Sequence, residues 1–145
     1  MDTYCGANCE SCPSRADCRG CCATGGSPFG GRCVAAERIR AAGREAYAAF
    51  KEALRGEINA LLAAEGIPAA ERLFELRGYY VNLPFPTPGG GEVKFLNDRD
   101  VYLGAQIELK EPGRCCGVAA DDTFILICRY GAGGSEPELV LFKKR

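Results

Sequence analysis

Hydrophobic and polar positions alternate in two different rhythms along this chain, and a third stretch has no rhythm at all. From Val34 to Gly66 the apolar residues Tyr47, Phe50, Leu54, Ile58 and Leu61 recur at steps of 3, 4, 4 and 3, one face of an α-helix. Glu45, Glu52 and Arg55 fall on other faces, and the intervening alanines are strong helix formers. Gly43 divides a short first helix from the main one, and Gly66 stands where a terminating glycine belongs. A second, shorter helix is expected next, with Pro68 in its first turn and Gly78 as its stop.

From Tyr79 the period changes to two. Tyr79, Val81, Leu83 and Phe85 alternate with Tyr80, Asn82 and Pro84, and Pro84 and Pro86 make this an edge strand. Thr87–Gly91 reads as a turn. EVKFLN and VYLGAQIEL then form a hairpin through Asp98-Arg99-Asp100, with Val101, Leu103, Ala105, Ile107 and Leu109 on one face. CCGVAA and TFILICRY form a second hairpin across Asp121-Asp122, and the unbroken apolar run Phe124–Cys128 predicts a central strand covered on both sides. The glycine-rich GAGGSEP leads to a last strand, ELVLFKK. Short turns between successive strands imply an antiparallel meander of about five to six strands. With one apolar helix face available to cover it, the fold class is α+β.

Residues 1–33 lack this patterning. Before Val34 only Tyr4 and Phe29 are sizeable hydrophobes, so the segment cannot build a core and needs a metal, disulfides or a docking surface to hold one shape. The chain therefore divides into a cysteine-rich module over 1–33 and an α+β body over 34–145, with helices in 34–77 and the antiparallel sheet in 79–143. Seven of the ten cysteines lie in the module, spaced C-x3-C-x2-C-x5-C-x2-C-C-x10-C from Cys5 to Cys33. CESC and CRGC are two C-x2-C knuckles, turns that let two sulfurs converge on one ion. The N-terminus MDTYCGANCE has neither a basic nor an apolar leader region, which places the thiols in a reducing cytoplasm, where such a cluster is more often metal-binding than disulfide-bonded.

Composition narrows the chemistry further. There is no histidine, which removes Ser-His-Asp triads, Cys-His dyads, HExxH zinc sites and histidine general bases. Any transition metal must be held by thiolates, alone or with carboxylates. Four thiolates around zinc make a closed structural site; a [4Fe–4S] cluster is the alternative, and Cys12-Pro13 echoes a ferredoxin ending. The C-x3-C-x2-C of the first three cysteines also matches the radical S-adenosylmethionine signature. Ser11 in place of an aromatic, and the absence of an alternating βα pattern, argue against it. A net charge of −1 gives no field for nucleic acid, and no apolar run approaches the roughly 18 residues of a membrane span.

CGANCESCP, then CRGC, then GRC ahead of the Ala-rich helix, resembles a domain-of-unknown-function family of small cysteine-rich prokaryotic proteins held to bind zinc. The tail, from KFLNDRDVYLGAQIEL through ADDTFILICRY to LVLFKKR, is similar to a subset of that family from anaerobic bacteria. The resemblance implies a metal-binding module on Cys5, Cys9, Cys12, Cys18, Cys21 and Cys33, and implies no known activity. Cys22, directly after the second knuckle, is not carried over.

Other candidate sites have plainer readings. Beside Arg114, the vicinal Cys115-Cys116 would gain thiolate character. On a strand, however, the two point to opposite faces, and with Cys128 they read as small buried hydrophobes. Asp98, Asp100, Asp121 and Asp122 fall in expected turns. Neither glycine-rich run opens a helix after a strand, so neither is a phosphate loop. No residue is assigned a catalytic role, and the reading leans away from an enzyme. What is expected is a cytoplasmic zinc module attached to a binding or adaptor body that presents a surface to a protein partner or small ligand. A [4Fe–4S] redox or oxidation-sensing protein is the alternative.

Overall fold

The structure is a computed structural model, and it describes residues 4, 24–27, 30–76 and 82–145. Cys5, Cys9, Cys12, Cys18, Cys21 and Cys22 lie outside the described residues, as do Gly78, Tyr79 and Val81. Two helices come first, α1 (Val34–Ala42) and α2 (Arg44–Ala64). Gly43 separates them with φ 90°, a conformation that L side chains avoid, while its N–H closes α1 on Ile39 and its carbonyl opens α2 to Tyr47. At the far end Gly66 donates to Ala63 and Ile67 to Leu62, a Schellman closure that tucks Ile67 into the core. The buried stripe of α2 is Tyr47, Leu54, Ile58 and Leu62; Phe50 and Leu61 flank it half-buried.

The strands are β1 (Phe74–Leu76), β2 (Phe85–Pro86), β3 (Glu92–Val93), β4 (Tyr102–Glu108), β5 (Cys115–Ala120), β6 (Phe124–Tyr130) and β7 (Glu138–Lys144). Five of them form one antiparallel sheet in the order β1-β4-β5-β6-β7, and β2 pairs with β3 in a small separate ribbon. The α+β class, the β5–β6 hairpin across Asp121-Asp122 and the covered run Phe124–Cys128 all stand as expected. Val101, Leu103 and Ile107 join Cys116, Val118, Ile125 and Ile127 under the helices in one core. On the opposite face Tyr102, Phe124 and Leu126 pack against Phe95 and Phe142, with Leu83, Phe85 and Cys128 alongside.

Two expectations fail, each for a local reason. No second helix follows Gly66: residues 67–73 are irregular and lead into β1. Ile67, Ala70 and Leu73 are buried at helical spacing, but Asn59 captures both backbone groups of Ala70, donating from Nδ2 to its carbonyl (3.1 Å) and accepting from its N–H at Oδ1 (2.8 Å). That amide satisfies the groups a helix would have paired. Nor do EVKFLN and VYLGAQIEL form a hairpin. β4 takes β1 as its neighbour, with Phe74 opposite Gly104, while β3 pairs with β2. Phe95 is drawn instead onto the outer sheet face, with its ring centroid 4.6 Å from Phe142 and 5.8 Å from Phe85. Aromatic burial across the sheet outweighs the few ladder bonds a local hairpin would add.

Candidate functional site

Cys33, the one described member of the thiol set, is 5% exposed and precedes α1, whose first turn it opens by accepting from the Glu37 N–H. A parallel bridge to Val101 fixes it at the entrance of β4. Cys33 is the N-cap residue of this nine-residue helix, with extended backbone (φ −121°, ψ 116°) and no hydrogen bond from its side chain to the helix end. Just ahead, Gly31 backs onto Arg99 and Asp100 so closely that any Cβ would collide with them. Arg32 ties the segment down. Its N–H donates to Asp100 (2.8 Å), and its guanidinium donates to both oxygens of Glu37 (2.8 and 2.7 Å) and to Asp122 (3.2 Å). Glu37 is the main reason this guanidinium is held even more firmly charged than an ordinary arginine.

The other end of the cysteine stretch is anchored on the end of α1 and the start of α2. Arg40 donates to the Gly25 carbonyl (2.5 Å) and places its guanidinium 5.9 Å from the centre of the Tyr4 ring. Arg44 donates to the Tyr4 carbonyl (3.1 Å), and Tyr4 packs against the core. The chain just before Cys5 and the chain just after Cys22 therefore meet at one arginine. Closing a loop in advance lowers the entropic cost of gathering the thiols inside it.

The sheet cysteines are placed apart from this anchorage. Cys116 is fully buried under the helices, and burial, with Cys128 nearby, pushes its thiol up to about 12. Burial pushes Cys128 up to about 11. Arg114 lends neither of the vicinal pair a charge partner; it donates to the Glu136 carbonyl (3.1 Å) and faces Glu138 at 3.8 Å. Among the described residues no group of three His, Cys, Asp or Glu side chains could hold a metal ion. The aspartates are turn residues: Asp121 Oδ1 accepts from the Thr123 N–H (2.7 Å), the Thr123 hydroxyl (2.7 Å) and the Phe124 N–H (3.2 Å). The GAGG run makes a short 3-10 turn at Ala132–Gly134.

A groove of about 1060 Å³ opens on the outer face of the sheet. Its origin lies in β5, which turns Cys115, Gly117 and Ala119 outward and so leaves a trough of small side chains mid-sheet. Leu83 and Phe85 wall one side; Tyr130 leans over Gly117, and burial pushes its hydroxyl up to about 12. Asn82 also lines the groove, with its Nδ2 bound to the Leu96 carbonyl and its buried Oδ1 without a donor among the described residues. Such an acceptor costs about 1–3 kcal/mol unless a donor reaches it. The groove extends along the outer face from Leu76 and Leu96 to the Leu109–Arg114 turn, whereas the cysteine anchorage meets the sheet through the bridge from Cys33 to Val101.

Comparison with protein-family models, curated proteins and solved structures gave no match. Among the described residues no helix is long and apolar enough to cross a membrane. Of the groove, the sequence offered Phe85, one of several aromatics able to line a groove or pack in the core, and the run of small residues in CCGVAA; it gave no sign of the Arg40 clip.

Proposed function

We propose that this chain is a non-catalytic binding protein: an all-thiolate zinc segment stabilises one end of the α+β body, and the outer-sheet groove takes up a small amphiphilic ligand. The observation that carries the reading is the groove itself, a trough over the small residues of β5 walled by Leu83, Phe85 and Tyr130, with polar groups such as Asn82 and Gln106 in its lining. Cys5, Cys9, Cys12, Cys18, Cys21 and Cys33 are the proposed thiolates, and zinc would supply a cross-link, not a reaction.

Two measurements test this. Metal analysis of protein purified without oxygen is expected to give a colourless sample with zinc. A brown sample containing iron and sulfide would replace zinc by a [4Fe–4S] cluster and turn the reading to redox chemistry. For the groove, the chain has no tryptophan, so Gln106→Trp on the outer face provides a single reporter. Anilinonaphthalene sulfonate should bind saturably at one site and quench it. Absence of saturable binding by the wild type would remove the groove from the proposal.

A further inference from the structure

We propose that two copies of this chain associate through β7, antiparallel edge to edge, to make one continuous ten-stranded sheet. β7 ends the sheet order, and its seven residues contrast with the three of β1 at the other edge. Such an edge presents unpaired N–H and C=O groups to any strand that fits. Four consecutive hydrophobes, Leu139, Val140, Leu141 and Phe142, occupy its middle, and Leu139 is 41% exposed, one of two large exposed hydrophobes among the described residues. Native edges are usually guarded by charges within the strand; here the charges stand only at its two ends.

Those charges select the partner. The pairing with β6 sets the faces: Glu138, Leu141 and Lys143 lie opposite Arg129, Ile127 and Ile125, on the helical side, whereas Leu139 and Phe142 lie opposite Cys128 and Leu126, on the outer side. A bulge leaves Val140 as the extra residue between them. Once the bulge is allowed for, a two-fold axis at Leu141 brings like faces together. Leu141 then meets its own copy, Leu139 meets Phe142, and Glu138 meets Lys143, with the last two contacts occurring twice. The acidic start and basic end of the strand are thus complementary to a second copy running the other way. The exposed Leu139 is covered by a Phe142 ring already stacked on Phe95 and Phe124. A seam of this length falls at the small end of stable interfaces, so micromolar rather than nanomolar strength is expected.

Sedimentation equilibrium of the full chain over a concentration series tests this. The wild type is expected to follow a monomer–dimer equilibrium. Glu138→Lys and Lys143→Glu each set two like-charged pairs face to face and should weaken the dimer by roughly two- to thirtyfold. Both positions are exposed, so each variant should keep the wild-type circular dichroism spectrum. An equimolar mixture of the two variants restores both opposite-charge pairs and should associate about as well as the wild type. A wild type that stays monomeric to its solubility limit would show that the bulge and the terminal charges close the edge, and would overturn the proposal. A dimer indifferent to both reversals would equally overturn it, because its contacts would lie elsewhere.

Discussion

Replacing Tyr47 by Phe removes its hydrogen bond to Glu75 from the clasp that holds the helical layer to the sheet edge. Glu75 on β1 has a side chain 15% exposed, and its Oε1 accepts from the Tyr47 hydroxyl (2.7 Å) and from Lys51 Nζ (2.9 Å). A hydrogen bond to a charged group contributes about 1.5–3 kcal/mol, and the substitution leaves the ring to fill its place in the core. Partial exposure favours the lower end of that range. A loss of about 1.5–2 kcal/mol corresponds to roughly 1 M in the urea midpoint at a slope of about 2 kcal/mol/M. The effect should depend on pH in a defined direction. Burial opposes ionisation of Glu75, but the bonds from Tyr47 and Lys51 and the charge of Lys51 outweigh it, so the group titrates below its ordinary 4.5. Stability from a lowered carboxylate is complete above the unfolded value and is lost as pH falls through the folded one. The gap between wild type and Tyr47→Phe should therefore be constant from neutral pH down to about 5 and narrow below about 4. A gap under about 0.5 kcal/mol at neutral pH, or one that stays constant into acid, would refute the argument.

Further outcomes follow from the anchorage and the thiols. Changing Cys9 and Cys12 together to Ser should release most of the bound metal, measured by mass spectrometry; full retention would disprove the ligand assignment. Arg40→Ala, which unclips Tyr4 from Gly25, should speed metal loss to a chelator severalfold while leaving the urea midpoint of the body within about 0.5 kcal/mol of wild type. Replacing Cys115, Cys116 and Cys128 by Ala should leave metal stoichiometry unchanged, since these residues form no ligand group with their described neighbours. At Cys128, Ser should destabilise more than Ala, because the burial that raises its thiol would strand part of a hydroxyl's bonding capacity.

What the sequence reveals and conceals here depends on the range of the deciding contact. The helices from Val34 to Ala64 are legible because periodicity and the Gly43 break are local properties. The β5–β6 hairpin is legible because alternation and its Asp-Asp turn agree. Ile67, Ala70 and Leu73 imitate a helix, and only the Asn59 amide, eleven residues upstream of Ala70, decides otherwise. Phe95 likewise fits a hairpin strand until Phe142, far along the chain, claims it. The cysteine positions can be read directly, but the meeting of Tyr4 and Gly25 at Arg40 cannot, since no spacing rule connects an arginine with a ring thirty-six residues before it. The groove depends on what stands above the small residues of β5, and composition says nothing about that.

The deep setting of Cys116 and Cys128 has a consequence for oxidative life. Thiolate is the form that peroxides and alkylating agents attack. With its titration pushed up to about 12, Cys116 carries on the order of one anion per hundred thousand molecules at neutral pH. Cys128, at about 11, carries on the order of one in ten thousand. Oxidants meeting this protein will pass these two sulfurs by, and within the sheet only the half-buried Cys115, which lines the groove, is open to them. The two deep sulfurs then leave the packed core of the body, as distinct from its groove, indifferent to episodes of oxidative stress.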